Sequence, residues 1–121
     1  MTNSQATRIA AFMGFLAVGL GAFGAHGLKN VLTENNTVAI WEKAVFYHFI
    51  HTIMLFVLGG RNPFPKGPWF SFLIGIGLFS GSLYLLALTN VRWLGAVTPV
   101  GGLSLIAGWV WLLLKPGCQS M

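Results

Sequence analysis

The stretch IAAFMGFLAVGLGAFGAHGL, residues Ile9–Leu28, decides what kind of molecule this is. It carries no charged side chain, and it has the length of about 20 mainly apolar residues that a helix needs to cross a hydrocarbon core. Of 121 residues, 55% are hydrophobic and only 7% charged, whereas a soluble domain holds roughly 25% charged residues. A water-soluble domain this small leaves too much of its surface exposed to hide so many apolar side chains. Three further stretches approach spanning length: Ala39–Leu58, Trp69–Leu88 and Trp93–Leu114. The expected fold is all-α: a polytopic membrane protein built as an antiparallel four-transmembrane-helix bundle, with residues 1–121 forming a single domain.

The second stretch is the least apolar. It contains Glu42, Lys43, His48 and His51, and each charge at the centre of a span costs about 2.5–3.5 kcal/mol. Glu42 and Lys43 fall in the first turn, from which both side chains snorkel to the interface, so the span survives. The links Lys29–Val38, Gly59–Pro68 and Thr89–Arg92 are short enough to make successive helices antiparallel neighbours. Four spans put both termini on one side with Arg8, Arg61, Lys66 and Lys115. The other side holds Lys29, Lys43 and Arg92 with both acids, Glu34 and Glu42. The excess of cations on the first side places the termini in the cytoplasm. Trp41, Trp69, Trp93 and Trp111 stand at helix ends, as interfacial anchors do.

The net charge of +5 is scattered singly along the chain, so nucleic acid finds no basic stripe to bind. Arg8 ahead of an apolar run ending in Ala22-Phe23-Gly24-Ala25 imitates a secretory signal. The run exceeds a signal core in length and more spans follow, so it is expected to remain as a helix. The one cysteine, Cys118, excludes an intramolecular disulfide and a metal-binding cysteine pair.

Small residues mark the packing faces. Ala10, Gly14, Ala17, Gly21 and Ala25 form one stripe on the first helix, and Gly19 and Ala22 lie with Phe15 and His26 on another. Small residues on two faces predict that this helix is the central one, packed on both sides. The third helix is expected to pack through the face of Gly77, Ser80, Gly81 and Tyr84. In the fourth, Pro99 and the Gly101-Gly102 pair predict a kink, with the Thr98 hydroxyl patching a freed carbonyl.

Counting about 1.5 Å per residue from the helix ends brings His26, Glu42, Tyr84 and Thr98 into the membrane leaflet opposite the termini, with His48 slightly deeper. Histidine inside a span is a functional-site candidate by default, and its plain alternative is an interhelical hydrogen bond. The candidate ligand- or partner-binding residues are His26, Glu42, Tyr47, His48, His51, Ser80, Tyr84, Thr98 and Pro99. A bis-histidine haem on His26 and His48 would need better matched depths. The i,i+3 pair His48 and His51 lacks the further ligands of a metal site. No nucleophile elbow, phosphate-cradling loop or paired carboxylate is present, so no catalytic residue, metal or cofactor is assigned. Two readings remain: a non-enzymatic accessory or binding protein, serving a larger membrane complex or holding a lipid-like ligand, and a small proton-coupled transporter that uses the intramembrane histidines. The lipid bilayer is the one certain partner, with a larger complex or further copies of the chain beside it.

Four segments carry a family resemblance: Leu20–Leu28 (LGAFGAHGL), Tyr47 with His51, Phe79–Tyr84 (FSGSLY), and Val97–Gly102 (VTPVGG) continuing to Gly108-Trp109. In this order they resemble the YgdD-like (DUF423) family of small membrane proteins, whose eukaryotic member is called transmembrane protein 256. The resemblance covers nearly the whole chain. It implies a multi-pass, four-helix protein of the cell inner membrane, or of mitochondria in eukaryotes, with no established biochemical activity and no catalytic residue to carry over. It gives weight to His26, His51, Tyr84, Thr98 and Pro99, and none to His48.

Overall fold

The computed structural model describes residues 1–115, all of whose regular structure is helical; Cys118 lies outside the described residues. Helix α1 spans Asn3–Ala25, a short α2 spans Lys29–Asn35, and α3 spans Val38–Gly59. Helix α4 (Lys66–Gly75) runs through a π-helical segment (Ile76–Ser80) into α5 (Gly81–Thr89), and a 3₁₀ turn (Arg92–Ala96) leads into α6 (Thr98–Leu114). Three of the helical stretches are long and apolar enough to cross a membrane: Asn3–Ala25, Lys66–Thr89 and Arg92–Leu114. The 22-residue α3, which carries the two histidines, Glu42 and Lys43, has the length without the composition.

Several boundaries follow from caps that hydropathy does not register. Helix α1 begins at Asn3, ahead of the apolar run, because Thr2 and Gln5 form a capping box: the Gln5 amide donates to Thr2 Oγ1 at 3.1 Å and the Thr2 amide to Gln5 Oε1 at 2.9 Å. Asn36 and Asn90 terminate α2 and α5 in the left-handed region, at φ 58° and 59°, a conformation asparagine tolerates better than most residues. Pro99 does not kink a helix interior. It sits in the first turn of α6, where its missing N–H is one of the donors that has no intrahelical partner anyway.

The packing order corrects one expectation. Helix α1 packs along α3, α3 along the α4–α5 rod, and α6 along α4 and the π segment. The central helix is therefore α3, and α1 stands at the edge. Only the first stripe of α1 is used: Ala6, Ala10 and Ala17 are buried, while Phe15 on the other face is 71% exposed and Gly19 meets nothing. The physical reason is that α3 carries the polar side chains, and in an apolar solvent those find partners only between helices. On the third helix the expected face is used in part: Ser80 and Tyr84 pack against α3, but the glycines that permit close approach are others. Gly77 and Gly81 meet nothing, whereas a Cβ on Gly75 would collide with Leu105, on Gly108 with the Phe72 ring, and on Gly101 with the backbone of Leu78 and Phe79. These glycines let α6 lie directly on the rod.

Two apolar clusters close the ends of the interior. Ala6, Ala10, Leu55, Leu58, Trp69, Phe72, Ile76 and Leu105 fill the end near the termini, and Leu32, Trp41 and Ala87 fill the other. The polar run expected as a link is partly helix α2, which closes open carbonyls at the end of α5. Asn35 Nδ2 donates to the Ala87 and Leu88 carbonyls at 3.0 and 3.2 Å, and Thr37 Oγ1 to Ala87 at 2.8 Å. At the opposite end Asn3 Nδ2 does the same for Gly59 and Arg61, at 2.7 and 2.8 Å.

Candidate functional site

A polar layer lies between the two apolar clusters. Trp41, Ala44, His48, Thr52 and Leu55 are all buried along one stripe of α3, at the i, i+3, i+4 spacing that keeps residues on one helix face. His48 Nδ1 and the Tyr84 hydroxyl are 2.8 Å apart, and the Tyr84 ring lies against Trp41 with centroids 4.8 Å apart. Ser80 Oγ donates to the Ala44 carbonyl at 2.7 Å. Ser82 Oγ is 2.7 Å from Thr98 Oγ1 and 3.0 Å from the Phe79 carbonyl, inside the π segment. His48, Ser80 and Tyr84 are thus brought together between α3 and the rod, while the Ser82–Thr98 pair joins the rod to α6.

His51 forms a second knot. Its Nδ1 lies 2.9 Å from the Tyr47 carbonyl, and Trp109 Nε1 donates to its Nε2 at 2.9 Å. A carbonyl only accepts and an indole N–H only donates, so these two bonds together select the neutral imidazole with its proton on Nδ1. Protonating Nε2 would set one N–H against another. Tyr47 stacks on the same ring at 8° and 6.2 Å. Trp109, which the polar reading passed over, is what completes this arrangement.

The remaining candidates stand apart. His26 is exposed at the C-terminal cap of α1, and Pro99 is exposed on α6. Among the described residues no group of three His, Cys, Asp or Glu converges as metal ligands. Among the described residues, Thr52 Oγ1 and His48 Nε2 on α3 are buried without a hydrogen-bond partner.

Glu42 belongs to a different feature, a cavity of about 660 Å³ between α1, α2 and α3. Its wall on α1 is low because it is made of Gly21, Gly24 and Ala25. Trp41 lies across Gly24, where a Cβ would strike the indole, and its Nε1 donates to the Leu20 carbonyl at 2.9 Å. Lys29, Leu32 and Thr33 of α2 close one end. The α3 wall is Val38, Trp41, Glu42, Val45, Phe46, Phe49 and Ile50, which from Glu42 onward follow the i, i+3, i+4, i+7, i+8 spacing of one helix face. That spacing is present in the sequence and was the available signal for the cavity. Lys29 and Glu42 line the same space, and among the described residues no ion pair joins them. The volume falls within the range of about 300–1,000 Å³ typical of small-molecule sites.

The family described as "Protein of unknown function (DUF423)" matches residues 20–102. A UPF0382 membrane protein of Staphylococcus haemolyticus is 46% identical over 105 residues, covering 83% of this chain and 84% of that protein. The UPF0382 membrane protein YwdK of Bacillus subtilis is 41% identical over 113 residues, covering 88% and 90%. One of Staphylococcus epidermidis is 46% identical over 111 residues, covering 88% and 89%. No solved structure matches the chain. With its apolar helices and these relatives, the chain is a membrane protein and belongs to the DUF423 family.

Proposed function

We propose that this is a four-span inner-membrane protein, both termini in the cytoplasm, that holds one lipid-like amphiphile in the α1–α3 cavity and performs no chemistry on it. The cavity carries the reading: an apolar trough of about 660 Å³ with a cation and an anion at one end has the polarity of an amphiphile. The fourth span is α3. Its composition alone falls short, but His48 is bonded to Tyr84 and His51 to Trp109 on neighbouring helices, which offsets part of the cost of meeting hydrocarbon. The girdle of exposed apolar side chains on α1 and α6, such as Phe12 at 58% and Leu103 at 66%, supports a lipid surround.

The pairing inside the polar layer favours this reading over a proton-coupled transporter. Both ring nitrogens of His51 are engaged, and His48 is bonded to Tyr84; they serve as fastenings between helices.

Native mass spectrometry of the protein extracted in mild detergent tests the proposal. Wild type is expected to retain one lipid mass per chain, and Ile50→Trp, which fills the trough, to retain about a tenth as much. A chain that emerges bare under every mild condition, or a lipid that Ile50→Trp leaves in place, would overturn it.

A further inference from the structure

Two opposite charges line the cavity. Lys29 opens α2 and Glu42 lies one turn into α3. Both line the cavity, and among the described residues neither forms an ion pair. Thr33 at the same end donates its hydroxyl to the Lys29 carbonyl at 2.8 Å, leaving its oxygen free to accept a further donor. Below the charges, Val45, Phe46, Phe49 and Ile50 are wholly apolar, and helical rise sets Ile50 roughly 12 Å along the axis from Glu42.

Resting on the reading of the cavity as an amphiphile site, we infer that its occupant is a zwitterionic phospholipid with a primary ammonium headgroup. The phosphate pairs with the Lys29 ammonium, the headgroup ammonium donates to the Glu42 carboxylate, and an acyl chain runs along Phe46, Phe49 and Ile50. An anionic headgroup would satisfy Lys29 but face Glu42 as a like charge. A quaternary ammonium headgroup has no N–H to give Glu42 and depends on converging aromatic faces instead. Trp41, Phe46 and Phe49 line the cavity but do not converge as such a cage. Trp41 is 3% exposed, with its ring laid against Tyr84 at 4.8 Å, and Phe46 and Phe49 follow one another along a single helix face. The site therefore selects through charge-assisted hydrogen bonds, which are the stronger kind.

Purified protein is given equal amounts of dioleoyl phosphatidylethanolamine, phosphatidylcholine and phosphatidylglycerol in mixed micelles, and the retained lipid is read by native mass spectrometry. The ethanolamine lipid is expected to be retained about tenfold over each of the others, and Glu42→Gln to reduce that preference to about twofold or less. Glu42→Asp, which keeps the carboxylate, retains most of the preference, and Lys29→Gln weakens retention of all three lipids, each of which carries the phosphate. Glu42 and Lys29 are both exposed, so these variants leave the helix packing intact, and far-ultraviolet circular dichroism confirms it. Equal retention of the three lipids, or a preference that Glu42→Gln does not move, defeats the headgroup assignment while leaving the amphiphile site standing. Retention of no lipid at all, or retention indifferent to Ile50→Trp, defeats the site itself.

Discussion

Toward α4–α6, helix α3 meets its neighbours through bonds along its whole length. Ser80 reaches Ala44, Tyr84 reaches His48, Trp109 reaches His51, and Trp69 Nε1 donates to the Leu55 carbonyl at 3.1 Å. Toward α1 the fastenings among the described residues lie at the ends, Trp41 to Leu20 and Asn3 to Gly59 and Arg61. Between them the contact is made by small side chains, and Thr52 Oγ1 is left without a partner. Helices in lipid gain little from apolar burial and associate through close packing and hydrogen bonds. The side of α3 that adds hydrogen bonds along its whole length is the rigid one, and the side that relies on close packing with bonds at its ends is where a cavity remains open.

That contrast is open to direct attack. The largest effect is expected at Gly101, where even one methyl meets the backbone of Leu78 and Phe79. Gly101→Ala should cost about 3 kcal/mol, the upper end of ordinary overpacking, because backbone yields less readily than a side chain. Unfolding by titrated denaturing detergent would show it, and a neutral result would mean that α6 does not lie on the rod as described. A smaller effect is expected from the His48–Tyr84 bond. A double-mutant cycle with His48→Ala and Tyr84→Phe should give a coupling of about 0.6 kcal/mol and no more than about 1.7 kcal/mol. Zero coupling would remove this bond from the rigid side.

On the α1 side the expected sign reverses. Thr52→Val discards a buried hydroxyl that has no partner while keeping its shape, and should raise stability by up to about 1 kcal/mol. Gly14→Ala places a Cβ at an ordinary 3.6 Å from Thr52 Cγ2 and should add roughly 0.5 kcal/mol through helix propensity alone. Losses at both positions, measured in the same titration, would show that the α1 seam is as tightly specified as the other and would erase the distinction.

Hydropathy made the apolar helices legible, since α1, the α4–α5 rod and α6 each carry an uninterrupted apolar run. The stripe of Ala10, Gly14 and Ala17 was legible as a packing face too. Which helix was central was not. Small residues show that a face permits close approach, whereas the choice of neighbour lay in the polar side chains of α3 and in partners such as Tyr84 and Trp109, 36 and 58 residues away. Helix α2 was hidden for a similar reason. Its anchor is Leu32, whose companions Trp41 and Ala87 come from other elements. His26, Glu42 and Pro99 were grouped with the histidines because depth along a helix can be counted from sequence. Direction around the bundle cannot, until the packing order is known. The cavity was written into one face of α3, but its existence depends on the opposing wall of α1 being nearly bare of side chains.

The π segment has a consequence for chain length. Its widened turn, with the Gly81 N–H bonded back to the Ile76 carbonyl, holds one residue more than an α-helical ladder would need. Each residue advances an α-helix by about 100°, so that extra residue sets the phase of everything after it. It turns Ser82 toward Thr98, Tyr84 toward His48, and the Ala87 carbonyl toward Asn35 and Thr37. Removing one residue between Ile76 and Ser80 would regularise the helix and swing all three away at once. Replacement of a side chain here alters one contact; a change of length rewrites the whole upper half of the interior.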